Sequence, residues 1–353
     1  MPVVEHAKLR RITSALLSAA GCGQEEASVV AENLVEANLK GHDSHGVVNL
    51  PSYVVWLKEG GLRPDQKLDI VREDQTFLVI DAHRGLGQSV GRKAMELGIA
   101  KARASGAAIV AIRRSGHMGR IGAFGEQCAE AGLVSLHFAN VSGHPPNVAP
   151  HAARESRFAT NPFCFAVPGS ARNAAVILDC ASSKVAWGKL KVAFNKGELA
   201  ADGLLIDAQG RPTRDPAVVV PEPVGAMVAF GEHKGSGIAL ICELLGGALT
   251  GGDTIQPANL RDGVTINNML SILIDPRRMG DAERTTHEFD AVVDYVHSAI
   301  PLGPDEPVMI AGEPERRAMN ERLQSGIPID DRTWSELREL AATLGIESML
   351  VAD

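Results

Sequence analysis

Residues 76–112, "TFLVIDAHRGLGQSVGRKAMELGIAKARASGAAIVAI", decide the fold. Two apolar runs rich in β-branched residues, "TFLVID" and "AAIVAI", flank a helical pattern, "SVGRKAMELGIAKARASG", so the segment reads strand, helix, strand. The glycines of "GLGQSVG" (85–91) follow the first strand and open the helix, where a dinucleotide fingerprint would lie. That fingerprint is G-x-G-x-x-G or A, with an acidic residue at the end of the next strand. Here the spacing is G-x-G-x-x-x-G, and the next strand ends in Arg113-Arg114. Two arginines could bind the 2′-phosphate of NADP, but loops before helices are glycine-rich for backbone reasons alone. The stretch is read as a structural turn.

Working outward, the first forty residues read as two helices. Leu9, Ile12 and Leu16 form one apolar stripe, and Ala27, Val30, Ala31 and Leu34 a second. "GCG" (21–23) breaks them, since glycine takes the positive φ that ends a helix. After residue 112 a helix near 120–132 leads into the strand "LVSLHFANV". "AAVILDCAS" and "NNMLSILID" are further strands, "AMVAF" another, and "GSGIALICELLGGAL" a long small-residue helix. The last fifty residues are mostly helical, and no internal repeat is visible. Alternating elements make the class α/β, with helices from both termini forming a layer of their own. The expected units are a helical segment over 1–75, the strand–helix–strand unit 76–112, an α/β domain over 113–300 and C-terminal helices over 301–353 that pack on the first segment.

The 353 residues are 45% hydrophobic and 22% charged, an ordinary globular composition. A net charge of −8 and 4% aromatics argue against nucleic acid as a partner. Five scattered cysteines without a CxxC pair read as free thiols in a reducing compartment. With no signal-like N-terminus and no uncharged run of about 18 residues, no membrane is expected and the cytoplasm is the default.

Four clusters could carry chemistry. "GHDSHG" (41–46) places His42, Ser44 and His45 just past a helix end. Imidazole exchanges protons near neutral pH, Ser44 could orient His45, and Gly46 would leave room for a ligand. The same residues could be a helix-terminal pair making ordinary hydrogen bonds. His42 and His45 as metal ligands would need a third partner, and none stands at a recognisable spacing. "SGHMGRIG" (115–122) puts His117, Gly119 and Arg120 between a strand and a helix, a phosphate-friendly place or simply a glycine-rich loop. In "VILDCASSKVAWGKL" a strand ends in Asp179 and small residues, followed by Gly188-Lys189. "EHKGSG" (232–237) opens a helix with His233 and Lys234.

These blocks, with "SRFATNPFCFAVPG" and "GIPIDDRTWSEL", occur in the order seen in the malate/L-lactate dehydrogenase family, which the chain resembles over essentially its whole length. This is the type-2 group, distinct from the Rossmann-type lactate and malate dehydrogenases. The resemblance implies a mixed-sheet α/β fold and hydride transfer between NAD or NADP and a 2-oxo or 2-hydroxy acid. It also implies a homodimer. The family's Ser-His-Gly histidine falls on His45, the proton donor and acceptor, beside Ser44; His117 matches the second active-site histidine and Tyr53 the active-site tyrosine. Cofactor contacts carry over onto Gly119, Arg120 and Ile121; onto Ile177, Leu178, Asp179, Cys180 and Ala181; and onto His233, Lys234 and Asn267. Gly312, Glu313, Pro314 and Glu315 complete them. Many members have an arginine four residues after the catalytic histidine to grip the substrate carboxylate. Here that position is Asn49, so the grip is weaker there or comes from Arg120 or Arg157, which favours a bulkier substrate such as an aryl pyruvate. A cyclic imino-acid reductase and an inactive nucleotide-binding protein are the alternatives.

Overall fold

In the computed structural model, which describes residues 1–220 and 223–351, the chain opens with helices α1 (His6–Ala19) and α2 (Gln24–Leu39). Their predicted stripes are buried, Leu9, Leu16, Val30 and Leu34 completely. Gly21 takes φ +109° between them, and the Gly23 N–H donates to Asp65 at 2.8 Å. A third helix, α3 (Leu50–Lys58), and the C-terminal helices α9 and α10, bounded below, complete this layer. Short strands Val3–Val4 and Ile327–Pro328 pair antiparallel, tying the two ends of the chain together.

The main sheet has seven strands: β1 (Asp69–Glu73), β2 (Phe77–Asp81), β3 (Ala107–Gly116), β4 (Val134–Ser142), β5 (Phe163–Val167), β6 (Val176–Cys180) and β7 (Ile266–Ile274). Their spatial order is β1-β2-β3-β7-β4-β5-β6. Only β2 and β3 run parallel, joined by α4 (Gly87–Ser105) as a crossover. Every other pairing is antiparallel, so the mixed sheet is not a Rossmann fold. Leu78, Ile80, Val110, Ile112 and Phe124 form its core against α4 and α5 (Gly122–Glu130). All of β1 is exposed and carries no apolar alternation, which is why the sequence does not announce it. Boundaries at 75 and 112 accordingly fall in the β1–β2 hairpin and inside β3.

A smaller four-stranded sheet (148–149, 205–206, 212–213 and 226–228) packs on helix α6 (Trp187–Lys196) around Val148, Leu190 and Met227. The small-residue helix is α7 (His233–Cys242), which widens into a π-helical turn over Glu243–Ala248. Side chains at Gly246 and Gly247 would strike the β4 backbone and Asn140, so these glycines let the turn lie directly on the sheet. Helices α8 (Ala282–His297), α9 (Glu313–Ser325) and α10 (Asp331–Leu344) follow. Among the described residues no helix is long and apolar enough to cross a membrane.

His137 of β4 is wholly buried, its ring nitrogens 2.8 Å from Ser271 Oγ and 2.9 Å from Ser135 Oγ. Burial pushes its pKa from 6.5 to about 3. The unfolded chain therefore takes up this proton first, and stability present above pH 6.5 is lost as pH falls toward 3. The loss by pH 4 should be about 3 kcal/mol. Urea midpoints of the wild type are expected to fall more steeply between pH 7 and 4 than those of His137→Asn; equal slopes would refute this.

Candidate active site

The "GHDSHG" segment folds as two 3-10 turns, Asp43–His45 and Val47–Asn49, between α2 and α3. Asn38, buried at the end of α2, donates to Asp43 Oδ1 at 2.7 Å and accepts from the Val47 N–H at 3.0 Å. A side chain on Gly46 would collide with that Asn38 amide, so the glycine makes room for Asn38 and not for a ligand. Arg322 of α9 donates to the Asp43 carboxylate from the other side at 2.6 and 3.0 Å. The turn is thus pinned from both termini of the chain.

Pinning it aims His45 at His117, their rings stacked with centroids 5.9 Å apart. Ser44 Oγ lies 3.2 Å from His45 Nδ1. His117 Nδ1 is 2.6 Å from the hydroxyl of Tyr53, to which Gln88 Nε2 donates at 2.8 Å. Tyr53 and Gln88 are both buried, and burial raises the phenol pKa, so Tyr53 keeps its proton. A hydroxyl that accepts from Gln88 directs its own proton at Nδ1, which leaves the N–H of neutral His117 on Nε2. Burial, aided by the positive charges of Arg120 and Lys189, pushes His45 down to about 3. Burial and His144 bring His117 to about 4. Both imidazoles are therefore neutral at pH 7.

The glycine loop of residues 85–91 supports this pair. A side chain on Gly87 would run into the carbonyl oxygens of Gly116 and His117, so only glycine lets α4 start against that backbone and place Gln88 under Tyr53. Asp81 takes up both arginines of the next strand, with Arg113 Nε at 2.9 Å and Arg114 Nε at 3.0 Å. Both guanidinium groups are thus engaged by one carboxylate.

His45 and His117 open onto a cleft of about 440 Å³. Gly119, Arg120, Ile121, Asp179 and Ala181 line it. Asp179 accepts from the Gly122 N–H at 2.8 Å, and its burial outweighs the nearby Arg120 and raises its pKa. Arg120 is paired with Glu126, which Lys40 also reaches at 2.7 Å. Segment 312–315 lies beside the start of β6, where the Ile177 N–H donates to Ala311 at 3.2 Å. Gly312 takes φ +93°, Glu313 caps its own turn by accepting from the Ile310 N–H, Pro314 sits in the first turn of α9, and Glu315 pairs with His42 at 3.1 Å.

Of the other predicted positions, only Asn49 lines the cleft. Arg157 is a surface residue, 64% exposed and paired with Glu155 at 2.6 Å. Its guanidinium does not line the cleft, a placement that sequence spacing cannot reveal. Asn49 lines it, but its amide nitrogen donates to the carbonyls of Ser44 and Gly46 at 3.0 and 3.2 Å. Asn267 is buried, accepting from the Met118 N–H and donating to the Asn140 carbonyl, so it braces the His117 loop. His233 and Lys234 are exposed at the start of α7, shortly after Phe230, whose N–H donates to Ser182. Leu178 is exposed, and Cys180 is a half-buried free thiol. Sequence reasoning missed Gln88, Trp56, His144 and the α10 wall of Arg332, Thr333 and Glu336. Only the "DDRTWSEL" block hinted at that wall.

Residues 4–338 match the family model described as malate/L-lactate dehydrogenase. Hydroxycarboxylate dehydrogenase B of Escherichia coli (strain K12) is 41% identical over 340 residues, 96% of this chain and 93% of its own. A solved E. coli structure assigned to the malate/lactate dehydrogenases superposes with TM-score 0.94 at 39% identity, covering 99% of this chain and 98% of that one. Δ1-piperideine-2-carboxylate reductase from Pseudomonas syringae pvar. tomato superposes with TM-score 0.84 at 30% identity, covering 97% and 100%.

Proposed function

The chain belongs to the malate/L-lactate dehydrogenase family, and we propose that in its cleft His45 moves the proton that accompanies hydride transfer between NAD or NADP and a 2-oxo or 2-hydroxy acid. The carrying observation is the facing pair of neutral imidazoles, one of them held by Tyr53 and Gln88. The cofactor, when bound, supplies or takes the hydride at the substrate's C2. The residues lining the cleft fit it: Gly119 offers bare backbone, Asp179 an acceptor carboxylate and Ala181 no bulk. We place it on Gly119–Ile121, Ile177–Ala181 and Gly312–Glu315.

In oxidation, neutral His45 accepts the substrate's hydroxyl proton. In reduction it must donate one, and an anionic substrate favours the imidazolium by offsetting its positive neighbours. His117, with its N–H on Nε2, supports the reacting oxygen as a hydrogen-bond donor. We further propose a cytoplasmic homodimer. The exposed apolar side chains of Leu240, Ile241 and Leu244 along α7 and its π turn, with Leu249 just beyond it, support that assembly.

The test is a spectrophotometric screen of NADH and NADPH oxidation with pyruvate, oxaloacetate, phenylpyruvate and a cyclic imino acid. Turnover of 2-oxo acids is expected. Turnover of the cyclic imine alone would shift the reading to C=N reduction, which the fold shared with the piperideine-2-carboxylate reductase makes the second choice. No turnover of any substrate would overturn both.

A further inference from the structure

We infer that Lys189 is the residue that holds the substrate's carboxylate in this cleft, in the role left open by Asn49. The inference rests on the reading of the cleft given above. A 2-oxo acid and a cyclic imino acid both bring a carboxylate beside the reacting carbon, and an anion entering a partly buried site needs a compensating charge.

Asn49 cannot supply it. Its amide nitrogen is committed to Ser44 and Gly46, so the group it has left is an oxygen acceptor, which repels a carboxylate. Arg157 lies on the outer surface with Glu155. Arg120 is in the cleft but paired with Glu126. The other basic side chains of the wall are also engaged. His42 faces Glu315, Arg332 lies 2.9 Å from Glu336, and the Lys191 ammonium sits 5.7 Å from the centre of the Trp187 ring.

Among the described residues, Lys189 is the cleft-lining cation with neither a carboxylate nor an aromatic partner. It is also in the right place. The preceding Gly188 packs so closely on the catalytic turn that a Cβ there would sit 2.7 Å from Ser44 Cβ. Helix α6 thus delivers Lys189 beside the turn that carries His45. The positive charge of Lys189 is among those that hold His45 neutral. A carboxylate bound to Lys189 would cancel that influence, so one contact would both orient the substrate and favour the imidazolium needed for reduction.

The test uses the full-length chain with Lys189→Met, Lys189→Arg and the double variant Lys189→Met/Asn49→Arg. Lys189→Met is expected to raise KM for 2-oxo acids about 10- to 100-fold, the range for a hydrogen bond to a charged group. NADH and NADPH dissociation constants should stay within about twofold of wild type. The preference for pyruvate over neutral pyruvamide should disappear in Lys189→Met, survive in Lys189→Arg and return in the double variant. Calorimetric binding of oxamate to the NADH complex reads the same contact without turnover. Weakened oxamate binding in Lys189→Met supports the assignment even if no substrate in the screen reacts, in which case the reaction alone is wrong. An unchanged KM and unchanged oxamate affinity would overturn it. So would a loss confined to cofactor affinity, which would give Lys189 to a cofactor phosphate.

Discussion

Alanine at position 45 is expected to lower kcat about 10²- to 10⁴-fold, the usual contribution of a positioned general acid or base. NADH and NADPH should bind to the variant as they do to the wild type, because the proposed cofactor contacts lie on other segments. The loss should also be specific to chemistry. The turn that carries His45 is held by Asn38 from one side and Arg322 from the other, and neither bond uses the imidazole. Thermal stability should therefore change little. The pH profile sharpens the test. With His45 at about 3 in the open cleft, kcat/KM for oxidation should not drop through the range near 6.5 where an ordinary histidine titrates. Full activity in His45→Ala would remove the residue from the mechanism.

The second large effect is expected from the smallest possible substitution, Gly87→Ala. The added methyl would meet two carbonyl oxygens, those of Gly116 and His117, and backbone yields less readily than a side chain. Either the start of α4 or the His117 loop must move. The first displaces Gln88 from Tyr53, and the second displaces His117 itself. A stability loss of about 1–3 kcal/mol is expected from overpacking. A shift of 1 Å at a catalytic group costs about 10²-fold in rate, so kcat should fall by that order even in the fraction that folds. Gly303→Ala, with open space around it, is the matched control and should change neither Tm nor kcat. Equal behaviour of the two variants would show that the 85–91 turn does not position the site.

That turn also shows what sequence can and cannot disclose. Its glycines were legible as a turn, and the extra residue in the spacing was enough to set aside a Rossmann site. What the spacing could not show is the object the glycine approaches, because Gly116 and His117 come close only after α4 crosses back over the sheet. The α1 and α2 stripes were readable for the opposite reason: Leu9, Leu16, Val30 and Leu34 interact at local helical periods. The ligand-making-room reading of Gly46 failed because a glycine reports a close approach without naming what approaches, here Asn38. Arg157 and Arg120 were indistinguishable as charges in sequence. Both are paired with a glutamate, and only burial, 64% side-chain exposure against 3%, separates the surface residue from the one in the cleft.

The position of β7 carries a consequence for how the chain is made. This strand, the last of the seven in sequence, lies between β3 and β4 and pairs with both along nearly its whole length. Until it emerges, β3 and β4 each present an unpaired edge, and such edges recruit other chains. At 5–20 residues per second, the interval between synthesis of β4 and of β7 is on the order of ten seconds. Closing the sheet then joins segments more than a hundred residues apart, a contact pattern that slows folding. Refolding from denaturant should accordingly be slow and concentration-limited, and a nascent chain halted before residue 266 would be prone to aggregate rather than wait as a native-like half.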